Sequence, residues 1–180
     1  MPRLPYVPSD LAEPREIVDA VRARRGGRLT NLDRLLLHSP PLTAGWNAFL
    51  GAVRTRLSLS PSVRELAICA VAVLNGADYE LFHHSPEFLK AGGSQAQLDA
   101  LQDVEAACAN TRLFDAAERA VLRLSLEMTR SVTVEDETFG AAVQALGTTQ
   151  AVVELVAAIA TYNMVSRFLV ALDVRPEASH

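Results

Sequence analysis

Glu65, Glu80 and His84 are the side chains of this sequence whose types and spacing suit proton transfer. They lie in one stretch, RELAICAVAVLNGADYELFHHSPEFLKAGG, which runs from Arg64 to Gly93. Glu80 and His84 are four positions apart, so on a helix they share a face. A carboxylate beside an imidazole raises the imidazole's pKa and orients its ring. Glu65 sits on the preceding apolar segment, and the tight Asn75-Gly76 break makes the two segments neighbours. Two carboxyl groups and an imidazole meeting at the edge of an apolar core can move a proton at neutral pH.

Each of these residues also has a plainer reading. Ser62 and Glu65 fit a capping box. If Ser60 is the cap and Pro61 the first helical residue, Glu65 lies too deep for that role. Glu80 and His84 have the spacing of a solvated surface pair. His83 points about 100° away from His84, which suits a surface or interface histidine. Cys69 follows Glu65 by one turn and reads either as a small buried hydrophobe or as a lining residue of the site. In the last apolar segment Tyr162, Asn163, Ser166 and Arg167 interrupt the pattern. Arg167 has the chemistry to hold a substrate carboxylate. It equally suits a pair with Asp173 or Glu154, or a place in solvent.

The elements that must position these groups read as helices throughout. Residues 1–13 form an extended, proline-rich arm, and a single domain follows over residues 14–175. Pro14 opens a helix that Gly26-Gly27 ends. Thr30 caps a short helix over residues 31–38. After Pro40-Pro41, Leu42, Trp46, Phe49, Leu50 and Val53 recur at helical spacing. Ser60-Pro61 opens a helix to Leu74, and another covers residues 77–91, with Pro86 removing one backbone hydrogen bond. Ser94 with Gln97, and Asp115 with Glu118, are capping-box patterns for two further helices. Thr133 is the expected cap of a helix ending at Gly147, and Thr149 opens the longest helix, to about Leu172. No stretch alternates with period two, so the fold class is all-α. Val63-Arg64-Glu65-Leu66 and Val152-Val153-Glu154-Leu155 open similar Ala-rich helices, a weak sign of internal duplication.

Composition narrows the function. The chain has 180 residues, 49% hydrophobic and 21% charged, with a net charge of −4. This is an ordinary globular balance with length for a real core. No basic patch argues for nucleic acid, and no apolar run reaches the ~18 residues of a membrane span. Two cysteines, Cys69 and Cys108, are too few for a disulfide framework, so a reducing, cytoplasmic setting is expected. The N-terminus lacks the apolar segment of a signal peptide. Adjacent His83 and His84 face different ways and the other histidines are isolated, so no metal site is expected. No nucleotide or flavin motif is present, and no cofactor is expected.

Arg64-Glu65-Leu66, the spacing from Glu65 to Ala77, then Tyr79-Glu80, His84 and Ala91-Gly92 together resemble the carboxymuconolactone decarboxylase family, which includes the alkylhydroperoxidase D-like proteins. The resemblance is clearest over residues 60–101 and extends loosely to Tyr162-Asn163 and Arg167. It implies an alkylhydroperoxidase D-like helical domain and a homo-oligomer, trimeric or hexameric. In the family's peroxidase branch a glutamate precedes a Cys-x-x-Cys and a histidine. By spacing these fall on Glu65, on Ala77 and Glu80, and on His84, so both thiols are missing here. The resemblance therefore implies cysteine-independent acid–base work on a small carboxylated lactone or organic acid. Glu65, Glu80 and His84 are then catalytic. His84 donates the proton, oriented by Glu80. Tyr79, His83, Cys69, Tyr162 and Arg167 are the expected substrate contacts. A peroxidase-related antioxidant protein using Cys69, and a non-catalytic oligomer that binds small acids, are the alternatives.

Overall fold

The computed structural model describes residues 2–177, and among them every regular element is helical. They divide into two compact units. One comprises the described residues up to Leu57 and from Ala171 onward; the other is Ser58–Val170.

The first unit holds α1 (Arg15–Arg24), α2 (Asn31–Leu36) and α3 (Pro40–Thr55). Val18, Val21, Leu29 and Leu37 form its apolar cluster, with Val7, Leu11 and Ile17 packed against it. The N-terminal arm has no regular element and is tied to α2. Arg34 donates from Nε to the Val7 carbonyl at 2.7 Å and lies 4.9 Å from the Tyr6 ring centroid. Thr30 and Asp33 make the expected capping box. Asp33 is buried and ion-paired with Arg24 and Arg25. Pro40 is the first residue of α3 rather than a break before it, since a helix's first turn needs no N–H there.

The second unit holds α4 (Pro61–Leu74), α5 (Asp78–Lys90), α6 (Gln95–Ala100), a 3-10 turn (Leu101–Asp103), α7 (Val104–Ala109), α8 (Ala116–Arg130), α9 (Asp136–Leu146) and all but the last two residues of α10 (Thr149–Leu172). α4 is the centre, packed on both α5 and α8. Its residues Leu66 to Ala72 are all buried. α6 and α8 carry the two expected capping boxes.

Two further elements differ from the sequence reading. α7 was not legible, because its six residues show too short a periodicity to stand out. α9 starts after Glu135, not after Thr133. The chain turns at Val132 with a left-handed φ of 66°, and the Thr133 hydroxyl donates back to the Ser131 carbonyl.

α10 is long and apolar enough by composition to cross a membrane, although half of that segment is buried within the fold. Its polar residues explain its place as a core helix. Asn163 donates to Thr129 on α8 and accepts from Asn75 at the end of α4, and Glu154 accepts from Ser58 and from the Leu59 amide.

Candidate active site

The α4–α5 hairpin builds the site. Ser60 caps α4 by accepting from the Val63 amide, with Pro61 at the first helical position. That geometry places Glu65 beyond the first turn and removes it from any capping role. Asn75 ends α4, and Gly76, with φ of 62°, turns the chain so that the Ala77 amide closes onto the Ala72 carbonyl. This left-handed turn suits glycine. It folds α5 back antiparallel along α4 and brings His84 level with Glu65. α5 continues through Pro86 and stops at Gly92-Gly93, where a Cβ on Gly93 would lie 2.3 Å from the buried Phe88 ring.

His84 Nδ1 and Glu65 Oε2 are 2.6 Å apart, and both side chains are buried. Burial pushes the Glu65 carboxyl up, but the hydrogen bond and charge of His84, with help from Arg64, outweigh it and hold the group below its ordinary value. An ionised carboxylate only accepts, so Nδ1 is the donor. The other carboxylate oxygen, Oε1, accepts from Arg64 Nε at 3.2 Å. The Tyr162 ring packs edge-on against His84 at 4.9 Å between centroids. The imidazole is thus fixed by a carboxylate on one side and an aromatic ring on another.

Glu80 does not orient His84, contrary to the reading from their spacing. Its Oε1 accepts a 3.0 Å hydrogen bond from the Ser166 hydroxyl of α10. Its Oε2 is buried without a hydrogen-bond partner. Burial raises this carboxyl well above its ordinary value, with the Ser166 bond opposing, so its surroundings favour the neutral form. The physical reason for the difference lies in the third dimension. A shared helix face makes Glu80 and His84 neighbours, but each finds its partner on another helix, Glu65 on α4 and Ser166 on α10.

Cys69 is fully buried one turn beyond Glu65. Burial, and then the charges of Glu65 and Glu80, push its thiol up. His83 is half-buried, its ring tilted against Tyr79 at 4.5 Å between centroids and edge-on to Phe82 at 5.2 Å. Arg167 is exposed, and its guanidinium turns back to the Asn163 carbonyl and side-chain oxygen. Cys108 is half-buried beside α8, away from this group. Sequence reasoning gave Ser166 and Arg64 no part in the site. Arg64 adjoins Glu65, and Ser166 shares a helical face with Tyr162, and these were the signals available.

A cleft of about 370 Å³ reaches Glu65 from the open end of the hairpin, between the first turn of α4 and the last turn of α5. Among the described residues no cluster of three or more His, Cys, Asp or Glu side chains could hold a metal ion.

Residues 40–124 match the model of the carboxymuconolactone decarboxylase family. The matched segment is a little under half of the chain, and it is to this family that the segment is similar. The match includes Glu65, Glu80 and His84 and ends within α8. No curated protein matches the chain in sequence. Solved structures share the fold of this chain over nearly its whole length. An alkylhydroperoxidase D core, the uncharacterized peroxidase-related protein from Ralstonia eutropha JMP134, superposes with a TM-score of 0.79 at 21% identity, over 98% of this chain and 92% of that one. An uncharacterized peroxidase-related protein from Silicibacter sp. TM1040 gives 0.77 at 18% identity, over 97% and 90%. The debrominase Bmp8, solved in complex with 2,3,4-tribromopyrrole, gives 0.73 at 16% identity, over 96% and 90%. These likenesses establish an alkylhydroperoxidase D-like helical fold.

Proposed function

We propose that this protein is an enzyme that performs acid–base chemistry without a catalytic cysteine, decarboxylating a small carboxylated lactone or related organic acid. The observation that carries this reading is the opposite environment of its two buried carboxyl groups. Glu65 is paired with His84 and held ionised, whereas Glu80 is unpaired by any cation and held neutral. Carboxyl groups pushed apart in this way divide acid and base roles between them.

In the proposed step the bond between the substrate carbon and its carboxylate breaks, CO2 leaves, and the electron pair passes into an adjacent carbonyl as an enolate. Neutral Glu80 donates a hydrogen bond from Oε2 to the developing oxyanion. Protonated His84 then delivers its proton to the carbon, and Glu65 stabilises the imidazolium before transfer. A proton from water restores His84. The atoms and charge balance without an oxidant or reductant.

A second reading has one observation in its favour, the peroxidase-related names of two structural neighbours. It requires a thiolate, and the buried, carboxylate-flanked Cys69 is poorly placed to supply one. The experiment is CO2 release from a panel of small carboxylated lactones, run beside hydroperoxide consumption with a dithiol reductant. Peroxide turnover without CO2 release from any lactone would overturn the proposal.

We further propose that the protein is a homo-oligomer. In the second unit α10 exposes Val153, Met164 and Val170, while α5 exposes Phe82 and Leu89. Large apolar side chains left in solvent suit burial against a second chain.

A further inference from the structure

The cleft at the open end of the α4–α5 hairpin is lined by Ser60, Ser62, Arg64 and Glu65 from the start of α4 and by Glu87 and Lys90 from the end of α5. Arg64 is its chief feature. Only 13% of its side chain is exposed, and it spends Nε on Glu65. Nη1 and Nη2 make no hydrogen bond among the described residues, and the residue lines the cleft. A guanidinium used at Nε retains a pair of parallel N–H donors, the geometry that a carboxylate accepts from two sides. Lys90 stands across the cleft, held at 2.7 Å by Glu87. Both members of that pair are substantially exposed, at 70% and 41%. Such a pair is weak and readily exchanged. Glu65 forms part of the wall and leads directly to His84.

We infer that this cleft is a binding site for the carboxylate of a small organic acid. Arg64 Nη1 and Nη2 hold the two oxygens, and Lys90 leaves Glu87 to join them. The Ser62 side chain lines the same mouth. A molecule anchored there extends toward Glu65, so one guanidinium bridges the ligand's anion and the Glu65–His84 pair. The site lies on α4 and α5 and replaces Arg167, whose guanidinium is engaged with Asn163. The class of ligand rests on the acid–base reading of Glu65 and His84, but binding is measurable without turnover. A protein that binds the acid and never converts it would sink the functional reading and leave this site standing.

The test is calorimetric titration of the full chain with a γ-butyrolactone bearing a carboxylate, and with its methyl ester. Wild type, Arg64→Gln, Lys90→Gln and Arg167→Gln are compared, with circular dichroism confirming the fold of each. The carboxylate should bind wild type at least about tenfold more tightly than the ester. Arg64→Gln should weaken it about tenfold or more, and Lys90→Gln, whose exposed side chain bears no structural role, about two- to fivefold. Arg167→Gln should leave it unchanged. No binding to wild type, equal binding of acid and ester, or undiminished affinity in Lys90→Gln together with a folded Arg64→Gln would each overturn the site, as would loss confined to Arg167→Gln.

Discussion

The Nδ1 of His84 lies 2.6 Å from the Oε2 of Glu65, and both side chains are buried between two adjacent helices. A hydrogen bond this short between an imidazole and a carboxylate fixes the ring. Glu80, four residues from His84 along α5, pairs instead with Ser166 on α10, and burial raises its carboxyl well above the ordinary value.

The two carboxyl groups should move stability in opposite directions with pH. Glu65 is depressed below 4.5, so its contribution is present above that value and is lost as pH falls through its folded value. Glu80 is raised well above 4.5, so the folded state binds the extra proton. Stability then declines as pH rises from 4.5 toward the folded value. Chemical denaturation across pH should show Glu65→Gln flattening the acid limb, and Glu80→Gln flattening the decline above it. An unchanged pH dependence in both variants would contradict the assignments.

Ser166→Ala removes the one hydrogen bond that lowers Glu80. Glu80 should stay neutral to higher pH, and the alkaline limb of the rate profile should move upward. The buried Oε1 loses its donor, at a stability cost of about 1–3 kcal/mol. Ser166→Thr, which keeps the hydroxyl, should restore the profile where it fits. Identical limbs in Ser166→Ala and wild type would separate Ser166 from Glu80 titration.

Much of this was legible in the sequence, for physical reasons that differ by residue. The α4–α5 hairpin followed from local signals, a Ser-Pro start, an Asn-Gly turn and a Gly-Gly stop, each of which acts on the backbone beside it. Glu65 and His84 could be placed as neighbours because one short turn joins their helices. The partners of Glu80 could not, because Ser166 is 86 positions away and helical periodicity says nothing of which distant helix covers a face. The same limit hid the partner of Arg167, whose guanidinium turns back to Asn163 rather than to Asp173 or Glu154. α7 and the start of α9 were obscured by a short element and by the left-handed turn at Val132.

Cys69 has no role in the proposed chemistry. Cys69→Ala should retain turnover within about threefold. It should lose about 1 kcal/mol or somewhat more of stability from the small cavity it leaves. Loss of activity in this variant, with the fold intact by circular dichroism, would restore the thiol reading.

The exposed apolar residues of α10 and α5 predict an assembly of identical chains. Light scattering coupled to gel filtration should return a multiple of 19.4 kDa, and Met164→Glu or Val153→Glu should lower it. A wild-type mass of one chain at micromolar concentration would remove the oligomer from the account.

The most direct test of the central claim compares steady-state CO2 release by wild type, His84→Ala and Cys69→Ala on the best lactone substrate. Loss of a general acid costs about 10²–10⁴-fold. That loss is predicted for kcat of His84→Ala, with Cys69→Ala near wild type. Turnover by His84→Ala equal to wild type would contradict proton transfer through the Glu65–His84 pair.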